Sequence, residues 1–280
     1  MKKIIADSGC DLKSLEFADK DLAYERVALK INVGDKVFVD SPDLDIDGMV
    51  AEIRCTKAKT CSACPSPDDW LKAYEGADEI YVFNLSGTLS GSHNSAVLAS
   101  KIYLESHPDC RIYIMDTLSI GGQMSFMVLK AKELLESGAE FETVVKVLQD
   151  YLQKTKVFFM LDNIDNLVNN GRMKRIAGIA VNVLGINIMV KPSDKGEVEV
   201  IGKTRGTGKC LQGLFKKMLE YGYEGGKILI GCYENSEAAE KMHQLISKHF
   251  PQAGIKICKM SGLCTYYSSI SGLMIGFEHN

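Results

Sequence analysis

Short apolar runs separated by polar turns set the pattern of this chain. Residues 3–6, 79–85, 111–115 and 227–232 are mostly apolar, and stretches of helical period follow them. Ile80-Tyr81-Val82-Phe83 and Ile112-Tyr113-Ile114-Met115 are apolar at every position, which suits parallel strands covered by helices on both faces. Residues 92–104, 122–135 and 142–153 carry apolar side chains three and four apart and predict those covering helices. The reading is an α/β protein whose first domain, residues 1–154, is a three-layer unit around a parallel sheet. Past residue 154 the pattern changes. A strand is expected at 157–161, then a polar, turn-rich stretch to 175. Strands at 186–190 and 197–201 are joined by Pro192-Ser193-Asp194-Lys195-Gly196, a hairpin signal. Helices at 206–221 and 236–248 alternating with strands at 227–232 and 254–260 complete a second α/β domain, residues 155–280, with a mixed sheet.

The polar residues fall where such a fold places a ligand. Asp7-Ser8, the segment 84–92 and Asp116-Thr117 each follow an apolar run, at the carboxyl ends where open α/β sheets bind. Ser66, with Pro67 behind it and Asp69 three positions on, is a strong helix start, so the Thr60–Pro65 stretch before it is held in place. In Leu89-Ser90-Gly91-Ser92-His93-Asn94-Ser95 a strand exit leads into a helix. Its N–H groups and hydroxyls suit a carboxylate or phosphate, although the same residues serve equally as turn and cap.

Composition narrows the field. Of 280 residues 46% are apolar and 25% charged, with a net charge of −3, too near neutral for a general nucleic-acid binder. The first 154 residues carry −8 and the remainder +5, so the second half is suited to an anionic partner. No 18-residue apolar stretch or signal peptide is read, which leads us to expect a cytoplasmic protein with no stable membrane insertion and nine reduced cysteines. Cys61-Ser62-Ala63-Cys64 is a C-x-x-C, but the second pair a zinc site needs is missing, since Cys258 and Cys264 are five residues apart between them. His93 reads as a polar surface residue. Gly206-Thr207-Gly208-Lys209-Cys210 lacks the first glycine and final hydroxyl of a phosphate loop, and G-x-S-x-G is absent. No metal or other cofactor is expected. Among the basic residues Arg172, Lys174, Arg175, Lys203, Arg205, Lys209, Lys216 and Lys217, most read as a solvated face; Arg172, after Asn170-Gly171 in a turn, is the exception.

Together, Asp7-Ser8 with Asp11-Leu12, Ser62-Ala63-Cys64-Pro65-Ser66-Pro67, Leu89–Ala96, Met115-Asp116-Thr117, Asn170-Gly171-Arg172, Lys191-Pro192 and Val200–Arg205 resemble the DegV family in order and spacing along essentially the whole chain. The resemblance implies a non-catalytic protein that binds a long-chain fatty acid in an apolar tunnel in the cleft between two α/β domains. It also implies a partner, a separate ATP-using fatty-acid kinase subunit that makes the acyl phosphate. By that resemblance Ser62 and Ser90, with Gly91 and Ser92, hold the carboxylate, and Arg172 docks the kinase subunit. The family's C-terminal H-T-G-P-G segment is absent. Thr265, Tyr266 or Tyr267 stands in for its His, with Thr265 and Tyr266 assigned to the site. Two competing readings are a thiol oxidoreductase or phosphate-binding enzyme using Cys61 and Cys64 or the Ser90 loop, and a module for a polar small molecule, which needs a shallower pocket.

Overall fold

The computed structural model describes residues 1–174 and 185–280. Arg175, from the basic group above, lies outside the described residues. The apolar run at the N-terminus is β1 (Lys2–Asp7), paired in parallel with β2 (Leu22–Val27) on one side and β6 (Glu79–Asn84) on the other; β7 (Arg111–Asp116) follows, giving the order β2-β1-β6-β7. Alternation along each strand feeds two cores. Ile5, Ile80 and Val82 pack against Trp70 and Tyr74 of α2 (Pro67–Tyr74) and Ala96 and Ala99 of α3 (Ser92–Ser106). Ile4, Tyr81 and Phe83 face Met124 and Met127 of α4 (Gly122–Glu136) and Val144 and Leu148 of α5 (Phe141–Gln153). The Ser66 start of α2 is a full capping box: Asp69 N donates to Ser66 Oγ, and Ser66 N donates to the Asp69 carboxylate.

A small antiparallel sheet goes beyond the expected elements. Its order is β4 (Lys36–Val39), β3 (Lys30–Val33), β5 (Thr60–Ala63), with α1 (Ile46–Cys55) between the last two in sequence. Its strands are four residues long, too short for alternation to announce them.

The other large sheet is built from residues 155–278, in the order β10 (Val198–Arg205), β9 (Ile186–Pro192), β8 (Thr155–Leu161), β13 (Leu273–Glu278), β11 (Ile228–Cys232), β12 (Ile255–Lys259). β9 and β10 form the expected hairpin, with a register shift between Val200 and Gly202. The turn-rich stretch contains α6 (Asp165–Asn169). β11 and β12 run parallel, whereas β13 is antiparallel to both its neighbours, so the sheet is mixed. On one face Phe158 and Met160 pack with α7 (Thr207–Glu220) and α8 (Ser236–His249). On the other, Val157, Phe159 and Leu161 join Met274 of β13 and Cys264 of α9 (Gly262–Ser268). No helix among the described residues is long and apolar enough to cross a membrane.

β13 falls outside the sequence expectation because Gly276 interrupts its apolar run, and packing explains that glycine. A Cβ on Gly276 would lie 2.9 Å from the carbonyl carbon and 3.0 Å from the Cα of Gly122, at the start of α4. Main chain meets main chain there. Gly276→Ala is therefore expected to destabilise the protein by about 1–3 kcal/mol, read as a lowered thermal midpoint; an unchanged midpoint would show that the contact is loose.

Candidate functional site

A cavity with a mostly apolar lining lies between the two large sheets. Leu29, Leu85, Leu89, Leu118 and Ile120 line it from the first half of the chain, and Phe159, Leu161, Val190, Val198 and Met274 from the second. Polar groups gather around Ser62, Ser90, Arg172 and Tyr267, all on the cavity wall. Ser62 Oγ and Tyr267 Oη are 2.7 Å apart, joining β5 to α9. Arg172 Nε donates to the Leu89 carbonyl at 3.2 Å, and Nη1 donates to the Asn170 carbonyl, which ties the guanidinium to the Ser90 loop. Burial pushes the Tyr267 phenol up, against smaller lowering effects from the Ser62 bond and the Arg172 charge. The phenol stays protonated at neutral pH and can donate. Two hydroxyls and a nearby cation beside an apolar wall can hold an anionic head group while the wall takes a hydrocarbon tail.

Local chemistry holds the loops in place. Asp7, at the carboxyl end of β1 and fully buried, accepts from Ser92 Oγ (2.7 Å), Leu85 N (3.0 Å), Asn84 Nδ2 (3.3 Å) and Gly9 N (3.0 Å). One carboxylate thereby fixes the exit of β6 and the start of α3, on either side of Ser90. Asp116 does the same at the end of β7, accepting from Gly87 N and Leu118 N. The β9–β10 turn closes over the same loop through Ser86 Oγ to Gly196 O (2.8 Å) and Thr88 Oγ1 to Lys195 O (2.7 Å).

Of the residues assigned from sequence, the structure brings Ser62, Ser90 and Arg172 together on the cavity and sets the others apart. Gly91 is the N-cap of α3, beside Cys64 Sγ and off the cavity wall. Ser92 is buried with its hydroxyl bound to Asp7, while its N–H donates to Ser90 Oγ at 3.2 Å. Thr265 and Tyr266 line a neighbouring polar cleft instead; Tyr266 Oη meets Thr60 Oγ1 at 2.7 Å and accepts from Asn170 Nδ2 at 3.0 Å. α9 turns Tyr267 and Ser268 to the cavity, and Ser268 Oγ already donates to the Cys264 carbonyl at 2.6 Å. Tyr267 was one of three adjacent candidates, and only the helix phase separates them. The sequence reading also overlooked the organising roles of Asp7 and Asp116; their signal was an acidic residue at the end of an apolar run.

The thiol reading fares poorly. Cys61 lies on β5, where the chain advances by roughly 3.3 Å per residue, unlike the turn at a helix start that brings a redox pair together. Both thiols of the motif are exposed and off the cavity wall. Burial pushes Cys10 up to about 11 and Cys258 up to about 12, the opposite of activation. Among the described residues no group of three or more His, Cys, Asp or Glu is placed to hold a metal ion.

Fold and cavity define an α/β protein with an apolar interior cavity that carries a group of polar side chains on its wall. The chain belongs to the DegV family: the family described as "Uncharacterised protein, DegV family" matches residues 1–277. A DegV domain-containing protein of Streptococcus pneumoniae strain R6 is 44% identical over 276 residues, covering 99% of this chain and 98% of the relative. Among solved structures, the Streptococcus pneumoniae fatty acid kinase (Fak) B3 protein loaded with linoleic acid is similar with a TM-score of 0.96 and 43% identity, covering 100% of this chain and 99% of that one. A DegV family protein from Eubacterium eligens loaded with heptadecanoic acid gives a TM-score of 0.94 and 34% identity over 100% of both chains.

Asp7 generates a pH prediction. Burial raises its pKa from 3.8 to about 6, outweighing the hydrogen bonds from Ser92, Leu85, Gly9 and Asn84 that lower it. A folded-state pKa above the unfolded value means that the native state holds the extra proton between about pH 4 and 6. Its contribution to stability therefore falls as pH rises through that window. Burial shifts Asp11 in the same direction. In Asp7→Asn this part of the pH dependence is expected to disappear, so thermal midpoints measured from pH 4 to 7 should fall less steeply than in the wild type. Parallel slopes would remove Asp7 as the source.

Proposed function

We propose that this chain binds a long-chain fatty acid in the cavity between its two α/β domains, 1–154 and 155–280, and presents the carboxylate to a separate ATP-using kinase subunit. The observation that carries this reading is the apolar cavity with Ser62, Tyr267, Ser90 and Arg172 gathered on its wall. The fatty acids bound in the pneumococcal and Eubacterium eligens relatives support the ligand class, and the fatty acid kinase designation of the former supports the partner. Burial of each methylene contributes up to about 0.8 kcal/mol before ordering costs, so the tail supplies the affinity. Neutral hydroxyls orient the head while the Arg172 guanidinium donates to the Leu89 and Asn170 carbonyls, which leaves the carboxylate oxygens chemically available. On this reading the protein carries no catalytic group of its own, needs no cofactor and works in the cytoplasm.

Native mass spectrometry of the purified protein, followed by solvent extraction, is the direct test. A near-stoichiometric fatty acid is the expected result; an apo mass with no uptake of added oleic acid would refute the proposal. Ser90→Ala is expected to weaken oleate binding by about 1 kcal/mol, the scale of a neutral hydrogen bond, in a fluorescence displacement titration. Arg172→Ala is expected to weaken oleate binding less than Ser90→Ala does while lowering acyl phosphate formation by the kinase subunit. Equal loss of binding in both variants would refute the division of roles.

A further inference from the structure

α9 carries Tyr267, and the small three-stranded sheet grips this helix at both ends. At its start, one oxygen of the Asp40 carboxylate accepts from Gly262 N and the other from Leu263 N, each at 2.9 Å. At its far end, the hydroxyls of Thr60 and Ser62 on β5 each meet a tyrosine hydroxyl at 2.7 Å, Tyr266 and Tyr267 respectively. Asp40 directly follows β4, and β4 and β5 flank β3 on opposite sides. The sheet therefore measures out the height of the helix over the cavity.

Asp40 is itself locked. Its side chain and that of Arg26 are each 2% exposed, with Arg26 Nη2 3.4 Å from Asp40 Oδ2. Arg26 Nη1 also donates to the Asp40 carbonyl, and Nη2 to Ser8 O at 3.1 Å and Cys10 O at 3.4 Å. Ser261, the N-cap of α9, reaches the same loop through Ser261 N to Asp11 Oδ1 (2.8 Å) and Ser261 Oγ to Ser8 O (3.1 Å). Close packing leaves little room to slide: a Cβ on Gly262 would lie 2.4 Å from Leu44 Cδ2 and 2.9 Å from Asp40 Oδ1. A buried ion pair is weak evidence for stability, and registry is its best-attested use. Here the pair faces two helix N–H groups, so its geometry fixes where α9 begins and hence where Tyr267 ends up.

We propose that Asp40, held by Arg26, is a positioning residue that sets the Tyr267 hydroxyl at the head-group site and so determines the preference for a carboxylate. This rests on the fatty-acid reading above. Asp40 touches the ligand only through α9.

The test compares the full-length wild type with Asp40→Ala, Asp40→Asn, Tyr267→Phe and Asp40→Ala/Tyr267→Phe, titrating each with oleic acid and with oleyl alcohol, which share a tail. Tyr267→Phe is expected to reduce the preference for acid over alcohol by about fivefold, the weight of one hydrogen bond. Asp40→Ala should reduce it to a similar extent with alcohol affinity within twofold of wild type, Asp40→Asn by less, since one carbonyl acceptor remains, and the double variant by no more than either single one. Parallel losses for acid and alcohol in Asp40→Ala would make Asp40 a merely structural residue and overturn the proposal. Additive loss in the double variant would overturn it as well, by showing that Asp40 acts elsewhere than through Tyr267. If Asp40→Ala does not fold, Asp40→Asn carries the same comparison, and wild-type affinity for acid and alcohol alike then overturns the proposal. A wild type that binds neither probe refutes the fatty-acid reading itself, a result distinct from all of these.

Discussion

The second large sheet is seated on the first half of the chain where the backbone of Gly276 on β13 meets that of Gly122 at the start of α4. With no side chain on either residue, the second sheet and α4, which packs on the first sheet, approach closely at this point. Elsewhere Leu, Phe, Val and Met side chains from both halves hold the two sheets apart, and the remaining volume is the cavity. Its lining is apolar because the facing strands are: Phe159 and Leu161 of β8 turn to it while Phe158 and Met160 turn to the α7 and α8 core.

At the polar end, charge is kept mostly behind the surface. Asp7, Asp40 and Asp116 accept backbone N–H groups and hold loops and the start of α9, while Ser62, Ser90, Tyr267 and Arg172 line the cavity here and Lys191 and Glu197 line it as well. This division has a physical logic. A carboxylate directly beside these donors would repel an anionic head group, whereas a carboxylate one layer back orders the donors that receive it. The desolvated Asp7 bears part of the cost, visible in its raised pKa.

Much of the fold was legible in the sequence. The mostly apolar runs at 79–85 and 111–115 became β6 and β7 of a parallel sheet, the hairpin around Asp194 became β9 and β10, and Ser66-Pro67 with Asp69 began α2 as a capping box. Each of these signals is local, a period or a cap within a dozen residues. The three-stranded sheet and β13 were not legible, because short strands have no period to read and Gly276 of β13 answers to α4, more than 150 residues away in the chain.

The candidate site divides in the same way. Ser62, Ser90 and Arg172 could be named from motifs, since their residue types and neighbours travel together along the chain. Which of Thr265, Tyr266 and Tyr267 faces the cavity could not, because adjacent residues on a helix differ only in angle, and that angle depends on how α9 is seated. Gly91 and Ser92 shared the Ser90 motif, yet one caps α3 and the other is drawn inward by Asp7. The sequence by itself determined the α/β class, the loops that carry polar chemistry and most of the residue types at the site. Tertiary structure alone decided which hydroxyls share a wall, because a hydrogen bond 2.7 Å long between Ser62 and Tyr267 spans 205 residues and exists only once β5 and α9 have packed together.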